Sequence, residues 1–468
     1  MKLKTIVTFL YLCISLIAFL SFDTTPIVWG SFFVNFLLIT AIAYYHLNIE
    51  RVFSPFLTSF VVFNYLFFFL APIFQISSMD YLNFRFPNDF AYSDSSIIVA
   101  NVLILVFNLV FILSYLFFKE NKLDNKDSQS FEPNFKQNIP LVILALLVIC
   151  FFIAFLNYEY LLNDISNSVY VANDEPTSSL LLKKKFLFFT PLAGIVISLK
   201  YLQIRNKTNR NTVFIFFFLI AFLVFLVFFK NIFTEKRNTL GPIYIALIYL
   251  FYPKLLNSNA KFFLFMFLAM VVIFPLASTL THIDASLEQI FAEPKLIYDS
   301  FLRFGSISGA FESLHYDAFA NIMATVEYVK LYGLSWGYQL LGVCLFFIPR
   351  SLWTTKPLST GELIGNHLFD TTPRNFTNLS NPIVSEGFIN FGLIGIVALA
   401  ILLAFFMIKF IVWLKTNDCL KQFIAFYFAV HLMFLLRGDL TNGFSYFIGP
   451  LLSVVFLPKL LIPSHQIF

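Results

Sequence analysis

The sequence predicts an all-α polytopic membrane protein of about 12 transmembrane helices, and three observations predict it. Of the 468 residues, 59% are hydrophobic and only 12% are charged, whereas a soluble domain carries about 25% charged residues. Phenylalanine alone numbers 66, more rings than a water-soluble core of this length has room to bury; lipid solvates them without penalty. Apolar runs also recur at the length that matters, about 20 residues as helix for a hydrocarbon core of roughly 30 Å. No polar linker divides the chain, so residues 1–468 read as a single membrane-embedded domain. The net charge of +5 is modest and no basic run marks a nucleic-acid partner.

The spans fall near 5–21, 27–46, 54–77, 97–118, 139–157, 186–202, 212–229, 240–253 and 261–278, with three more near 387–412, 421–436 and 444–462. The first follows Met-Lys-Leu-Lys and lacks a small-residue cleavage site, so it reads as an uncleaved span. Cys13, Cys150, Cys344 and Cys419 read as free thiols, because three lie in apolar stretches and no spacing suits zinc. Basic residues favour the cytoplasmic ends of spans. With the N-terminus inside, Lys2, Lys4, Arg51, the stretch Lys119 to Lys136, Lys200, Arg205, Lys207, Arg210 and the loop 415–421 are cytoplasmic. Lys183, Lys184 and Lys185 then lie outside, as do Lys230, Lys236 and Arg237. Cations that break the rule read either as a sign that the topology is assigned wrongly or as residues kept for a task.

Residues 279–382 form the longest stretch without a convincing span and read as a large periplasmic loop carrying short surface or re-entrant helices. Within it Leu334 to Ile348 is apolar for only 15 residues, which favours a re-entrant or interfacial segment; if it crosses instead, Arg350 through Arg374 become cytoplasmic. Pro294 suits the first turn of a helix with Leu296, Phe301, Leu302 and Phe304 on one face, lying on the membrane surface. No internal repeat is evident, which weighs against a transporter.

The chemistry-bearing residues gather in and around this loop. Pro349 and Pro357 bracket Arg350 to Lys356 and stiffen a turn that holds a guanidinium and an ammonium at the edge of the apolar core. That pair suits a phosphate, Arg as a planar fork and Lys as a point charge; the bland alternative is contact with lipid headgroups. Glu386 stands at the mouth of a long apolar helix, where an ionised carboxylate is expensive without a partner. It reads either as a helix cap favoured by the macrodipole or as a base for a sugar hydroxyl, a role open also to His367 and Asp370. Arg237, Arg303 and Arg437 complete a set of outward arginines, and Arg437 with Asp439 also reads as a self-paired cap. Such cations converging over one apolar cavity suit a lipid-linked diphosphate, each contact contributing on the order of 1.5–3 kcal/mol. No paired His and carboxylate at helical spacing marks a metal site, and no glycine-rich phosphate loop marks a nucleotide.

Ile-Pro-Arg-Ser-Leu-Trp-Thr-Thr-Lys-Pro at 348–357, followed by Ser-Glu-Gly-Phe-Ile-Asn-Phe-Gly-Leu-Ile-Gly at 385–395, resembles the signature of bacterial O-antigen and oligosaccharide repeat-unit polymerases (Wzy). Arg-Gly-Asp-Leu at 437–440 and Lys-Arg-Asn-Thr-Leu at 236–240 resemble lesser elements of that pattern; the resemblance covers mainly the chain from about 230 onward. It implies a GT-C-like, metal-independent inverting glycosyltransferase in the bacterial inner membrane, with its active site facing the periplasm. Such an enzyme moves a growing glycan from undecaprenyl diphosphate onto a new lipid-linked repeat unit, needs no cofactor, and works beside a chain-length regulator and a flippase. By that likeness Arg350 and Lys356 match the cationic loop, Arg237, Arg303 and Arg437 are candidates for the same diphosphate, and Glu386 matches the acidic residue. The rivals are an O-antigen ligase with the same donor, a lipid-linked oligosaccharide flippase, and a scaffold for a capsule-export complex.

Overall fold

The computed structural model describes residues 3–77, 93–123, 139–166, 182–204, 210–231, 235–273, 292–296, 298–299, 311, 314–371 and 379–461. Among them the chain is all helical, without a strand, as a polytopic membrane protein. Among the described residues ten helices are long and apolar enough to cross a bilayer. In chain order the helices that matter are α1 (Leu3–Leu20), α2 (Pro26–Ile49), α3 (Pro55–Ser77), α4 (Asp94–Leu123), α5 (Ile139–Leu156) and α6 (Tyr158–Ser166). They continue as α7 (Leu182–Ile204), α8 (Arg210–Phe229), α9 (Arg237–Phe251) and α10 (Asn259–Ile273). The second half adds α11 (Ala318–Tyr332), α12 (Tyr338–Cys344), α13 (Thr360–Thr371), α14 (Ile383–Leu414), α15 (Cys419–Arg437) and α16 (Leu440–Leu461). The expected eighth and ninth spans are the exceptions: α9 has 15 residues, and the expected span at 261–278 ends outside the described residues. Ten long helices therefore stand where about 12 were expected. The expected surface helix after Pro294 lies mostly outside the described residues.

Two compact units divide the chain. One unit comprises 1–125, 252–409 and 432–443. Its centre is α3, a helix apolar on every side and therefore buried on every side. Pro55 opens α3 where a missing N–H costs nothing, and Ser54 Oγ accepts from Leu57 N at 3.4 Å. Stacked rings fill the space around it, Phe60 against Phe111 at 3.8 Å and Phe63 against Phe67 at 4.8 Å. Where polar groups meet inside this unit they pair across helices: Asn35 Nδ2 donates to Asn101 O and Oδ1 at 2.9 and 3.0 Å. At the end of α2 a π-helical turn (Tyr45–Ile49) aims His46 into a buried network. Its Nδ1 lies 2.6 Å from Glu50 Oε2 and its Nε2 2.7 Å from Thr58 Oγ1. Glu50 Oε1 also accepts from Lys119 Nζ at 2.7 Å and Tyr115 OH at 2.9 Å.

The other unit comprises 126–251, 410–431 and 444–468. Here α7 packs against α5 and α8, and Tyr249 of α9 stacks on Phe426 of α15 at 3.8 Å, nearly parallel. A second apolar cluster joins Ile153, Tyr160, Leu161, Phe188 and Phe229.

Candidate functional site

The motif at 385–395 is not one straight helix. Phe391 (φ −141°, ψ 20°) and Gly392 (φ 60°, ψ −140°) leave helical geometry and break α14 into a short first arm and a long second one. The arms then touch: a Cβ on Gly395 would collide with the Gly387 carbonyl oxygen, and one on Gly387 would stand 2.7 Å from Ile396 N. Eight residues of straight helix would separate those glycines by about 12 Å, so the chain reverses direction at 391–392. The expected span beginning at 387 thus begins after a helical hairpin. Its tip is held from outside by Ser335 N donating to Ile389 O at 2.8 Å and Leu340 N to Asn390 Oδ1 at 3.4 Å. Asn390 Nδ2 in turn donates to Glu386 O at 2.9 Å.

Glu386 sits fully buried in the short arm. Its Oε1 accepts from Thr360 Oγ1, the first residue of α13, and from Leu440 N, the first residue of α16, at 2.7 Å. Its Oε2 is buried without a hydrogen-bond partner. Oε1 thus caps α16 rather than the helix in whose first turn Glu386 itself stands, and Oε2 is left without a hydrogen bond. Asp439 stands beside it and accepts from Asn442 N at 2.8 Å and Asn442 Nδ2 at 2.7 Å. A Cβ on Gly361 would meet Asp439 Oδ2 at 3.3 Å, so the start of α13 is pressed onto the same spot.

Arg437, three residues before Leu440, pairs with Asp317 Oδ1 at 3.2 Å. Ser380 Oγ donates to the same Asp317 oxygen at 2.5 Å. Asn321 Nδ2 donates to Ser380 O at 2.5 Å, and Thr325 Oγ1 to Asn381 Oδ1 at 3.1 Å. Asp317, Asn321 and Thr325 repeat every four residues at and along α11, a polar stripe that fastens the segment leading into the hairpin. Sequence reasoning missed Thr360, Asp317, Asn321 and Ser380. The four-residue repeat of 317, 321 and 325 was the available signal for the stripe; nothing local marked Thr360 or Ser380.

Arg350 and Lys356 share one turn and brace it. Arg350 Nη1 donates to Lys356 O at 2.7 Å and Nη2 to Pro357 O at 3.3 Å. Lys356 Nζ donates to Phe346 O and Ile348 O at 2.7 and 2.8 Å. Burial lowers the Lys356 ammonium from its ordinary 10.5, and the neighbouring Arg350 charge lowers it further. Two like charges are thereby fixed side by side. α12, which leads into this turn, has seven residues and rises about 10 Å, a third of a hydrocarbon core. Lys356 is four residues from Thr360, no more than about 14 Å along the chain.

The remaining candidates separate. His367 lies seven residues along α13 from Thr360, edge-on to Tyr328 at 5.4 Å and Tyr332 at 5.7 Å. Asp370 is on the same helix, but its side chain, like the whole of Arg303, lies outside the described residues. Arg237 opens α9 in the other unit. Among the described residues no three His, Cys, Asp or Glu side chains converge to hold a metal ion. No family model, no curated protein and no solved structure matches this chain.

Proposed function

We propose that the chain polymerises undecaprenyl-diphosphate-linked oligosaccharide repeat units at the periplasmic face of the inner membrane, by inverting glycosyl transfer. The observation that carries this reading is the divided carboxylate of Glu386: one oxygen anchored by Thr360 and Leu440, the other buried and unpartnered. It lies at the helical hairpin, in the same compact unit as the Arg350–Lys356 turn and Arg437. The hydroxyl oxygen of the incoming sugar attacks the anomeric carbon of the donor. A new C–O bond forms there as the bond to the diphosphate oxygen breaks. Glu386 Oε2 takes the hydroxyl proton, and the diphosphate leaves with the bonding electron pair. Arg350, Lys356 and Arg437 supply fixed positive charge for that leaving group, with Arg303 as a further candidate. A positioned base contributes roughly 10²–10⁴-fold, and preorganised charge acts where the anion develops.

Deleting the gene tests this reading. The expected outcome is a surface glycan of a single repeat unit on a silver-stained gel, restored to long chains by the wild-type copy. A glycan absent altogether assigns the chain instead to ligation or flipping, and unchanged long chains remove it from this pathway.

A further inference from the structure

The unit made of 126–251, 410–431 and 444–468 carries a second feature that the proposed glycosyl transfer does not use. Phe151 and Phe155 of α5, Tyr158 and Leu161 of α6, and Phe225 and Phe229 of α8 line a groove of about 360 Å³. That volume is in the range of ligand sites. Its walls are aromatic and aliphatic, and Phe155 at its rim is 79% exposed. An apolar groove on the outside of a membrane helix cluster suits a hydrocarbon chain.

One end of the groove is charged. Leu161 and Phe229 belong both to the groove and to the cluster around Tyr160. The ammonium groups of Lys183 and Lys184 stand over the Tyr160 ring at 5.7 and 5.5 Å. Lys230, the residue after Phe229, is wholly buried; its Nζ donates to Lys184 O at 2.5 Å and to Glu235 Oε2 at 3.0 Å. It thereby fixes the backbone that carries Lys184. Among the described residues, three ammonium groups, Lys183, Lys184 and Lys230, meet two carboxylates at this end, Asp164 and Glu235. Positive charge remains in excess beside an apolar slot, and membrane surfaces present the complementary molecule.

We infer that this groove holds an anionic phospholipid of the bilayer, its acyl chain against Phe155 and Phe225 and its phosphate against Lys183 and Lys184. The same lysines are those that break the charge rule for cytoplasmic loops.

The full chain, purified in detergent and stripped of lipid, is titrated with phosphatidylglycerol or with phosphatidylcholine of the same acyl chains, and retained lipid is counted by native mass spectrometry. Phosphatidylglycerol is expected to stay bound where phosphatidylcholine is lost. The double substitution Lys183→Gln, Lys184→Gln is expected to weaken it roughly twentyfold at low salt, from about fivefold per cation. Ala154→Trp, which fills the groove, is expected to expel the lipid with both lysines in place. Glycerol 3-phosphate, the headgroup alone, should not compete. The wild-type chain gives an arm independent of folding in the variants, because raised ionic strength should release phosphatidylglycerol. Equal retention of the two lipids, indifference to salt or to the lysine substitutions, or displacement by glycerol 3-phosphate overturns the inference. Preferential retention of a polyprenyl phosphate over phosphatidylglycerol overturns it as well.

Discussion

Glu386 and Glu50 are both buried carboxylates, and their surroundings ask different things of them. Every oxygen of Glu50 has donors, from His46, Tyr115 and Lys119, which is how a structural charge survives in an apolar interior. Glu386 keeps one oxygen without a donor, an expense that structure alone does not repay. Substituting Glu386→Gln separates the two duties of that residue. Gln retains an oxygen for Thr360 and Leu440 N but loses the basicity. The expected outcome is wild-type protein level and melting temperature with long-chain glycan reduced by roughly 10²-fold or more; long chains from that variant remove Glu386 as the base. For Glu50, burial raises the carboxyl, but the hydrogen bonds and charges of His46 and Lys119 outweigh it and leave the group below its ordinary 4.5. A depressed carboxyl stabilises the fold above its unfolded value and loses that contribution as pH falls through the folded value. The melting temperature in detergent should therefore hold above pH 4.5 and drop below it. In Glu50→Gln it should start lower, by the equivalent of about 3–5 kcal/mol for a broken buried pair, and show a shallower acid drop. Equal acid profiles in the two proteins would show that this network does not carry the effect.

At the scale of the element, the hairpin rests on two kinds of glycine. Gly387 and Gly395 let the arms touch, since any side chain on either meets backbone that has no way to yield. Gly392 serves differently: space around it is open, with Leu334 Cδ1 at 3.9 Å the nearest atom, but its φ of +60° with ψ near −140° belongs to glycine alone. Gly392→Ala should cost about 1–3 kcal/mol through backbone strain. Gly395→Ala should cost a similar amount, about 1–3 kcal/mol, through overpacking. Thermal melting distinguishes this from a straight helix, in which both alanines would be neutral or stabilising. Both substitutions should also lower polymer formation more than protein level, because the short arm they displace carries Glu386. Retained stability in both variants would mean that the arms are not folded against each other.

Over the whole molecule, what hydropathy encodes was readable and what chain direction encodes was not. Ten of the expected spans have long helices at their positions because each is a local property of about twenty residues, whereas α9 is short enough to blur that signal. Residues 387–412 read as one run because Gly392 to Gly395 is apolar, and hydropathy does not register a reversal; the glycines eight apart and Asn390 were its trace. Arg350 and Lys356 were legible as a clamped pair but not as donors to their own carbonyls, because those partners depend on how the turn closes onto α12. Which side of the membrane this turn faces rests on charge placement along the entire chain, and it is testable directly. Thr354 is exposed between the two cations, and Lys415 is exposed in the loop after α14. With exposed Cys344 replaced by Ser to remove the native thiol in this region, Thr354→Cys should react with an impermeant maleimide on intact spheroplasts. Lys415→Cys should react only after the membrane is opened, since the long arm of α14 lies between the two positions. The reverse pattern would put the Arg350–Lys356 turn in the cytosol, where a periplasmic polymerase has no use for it. Labelling of both from one side would mean that α14 does not cross.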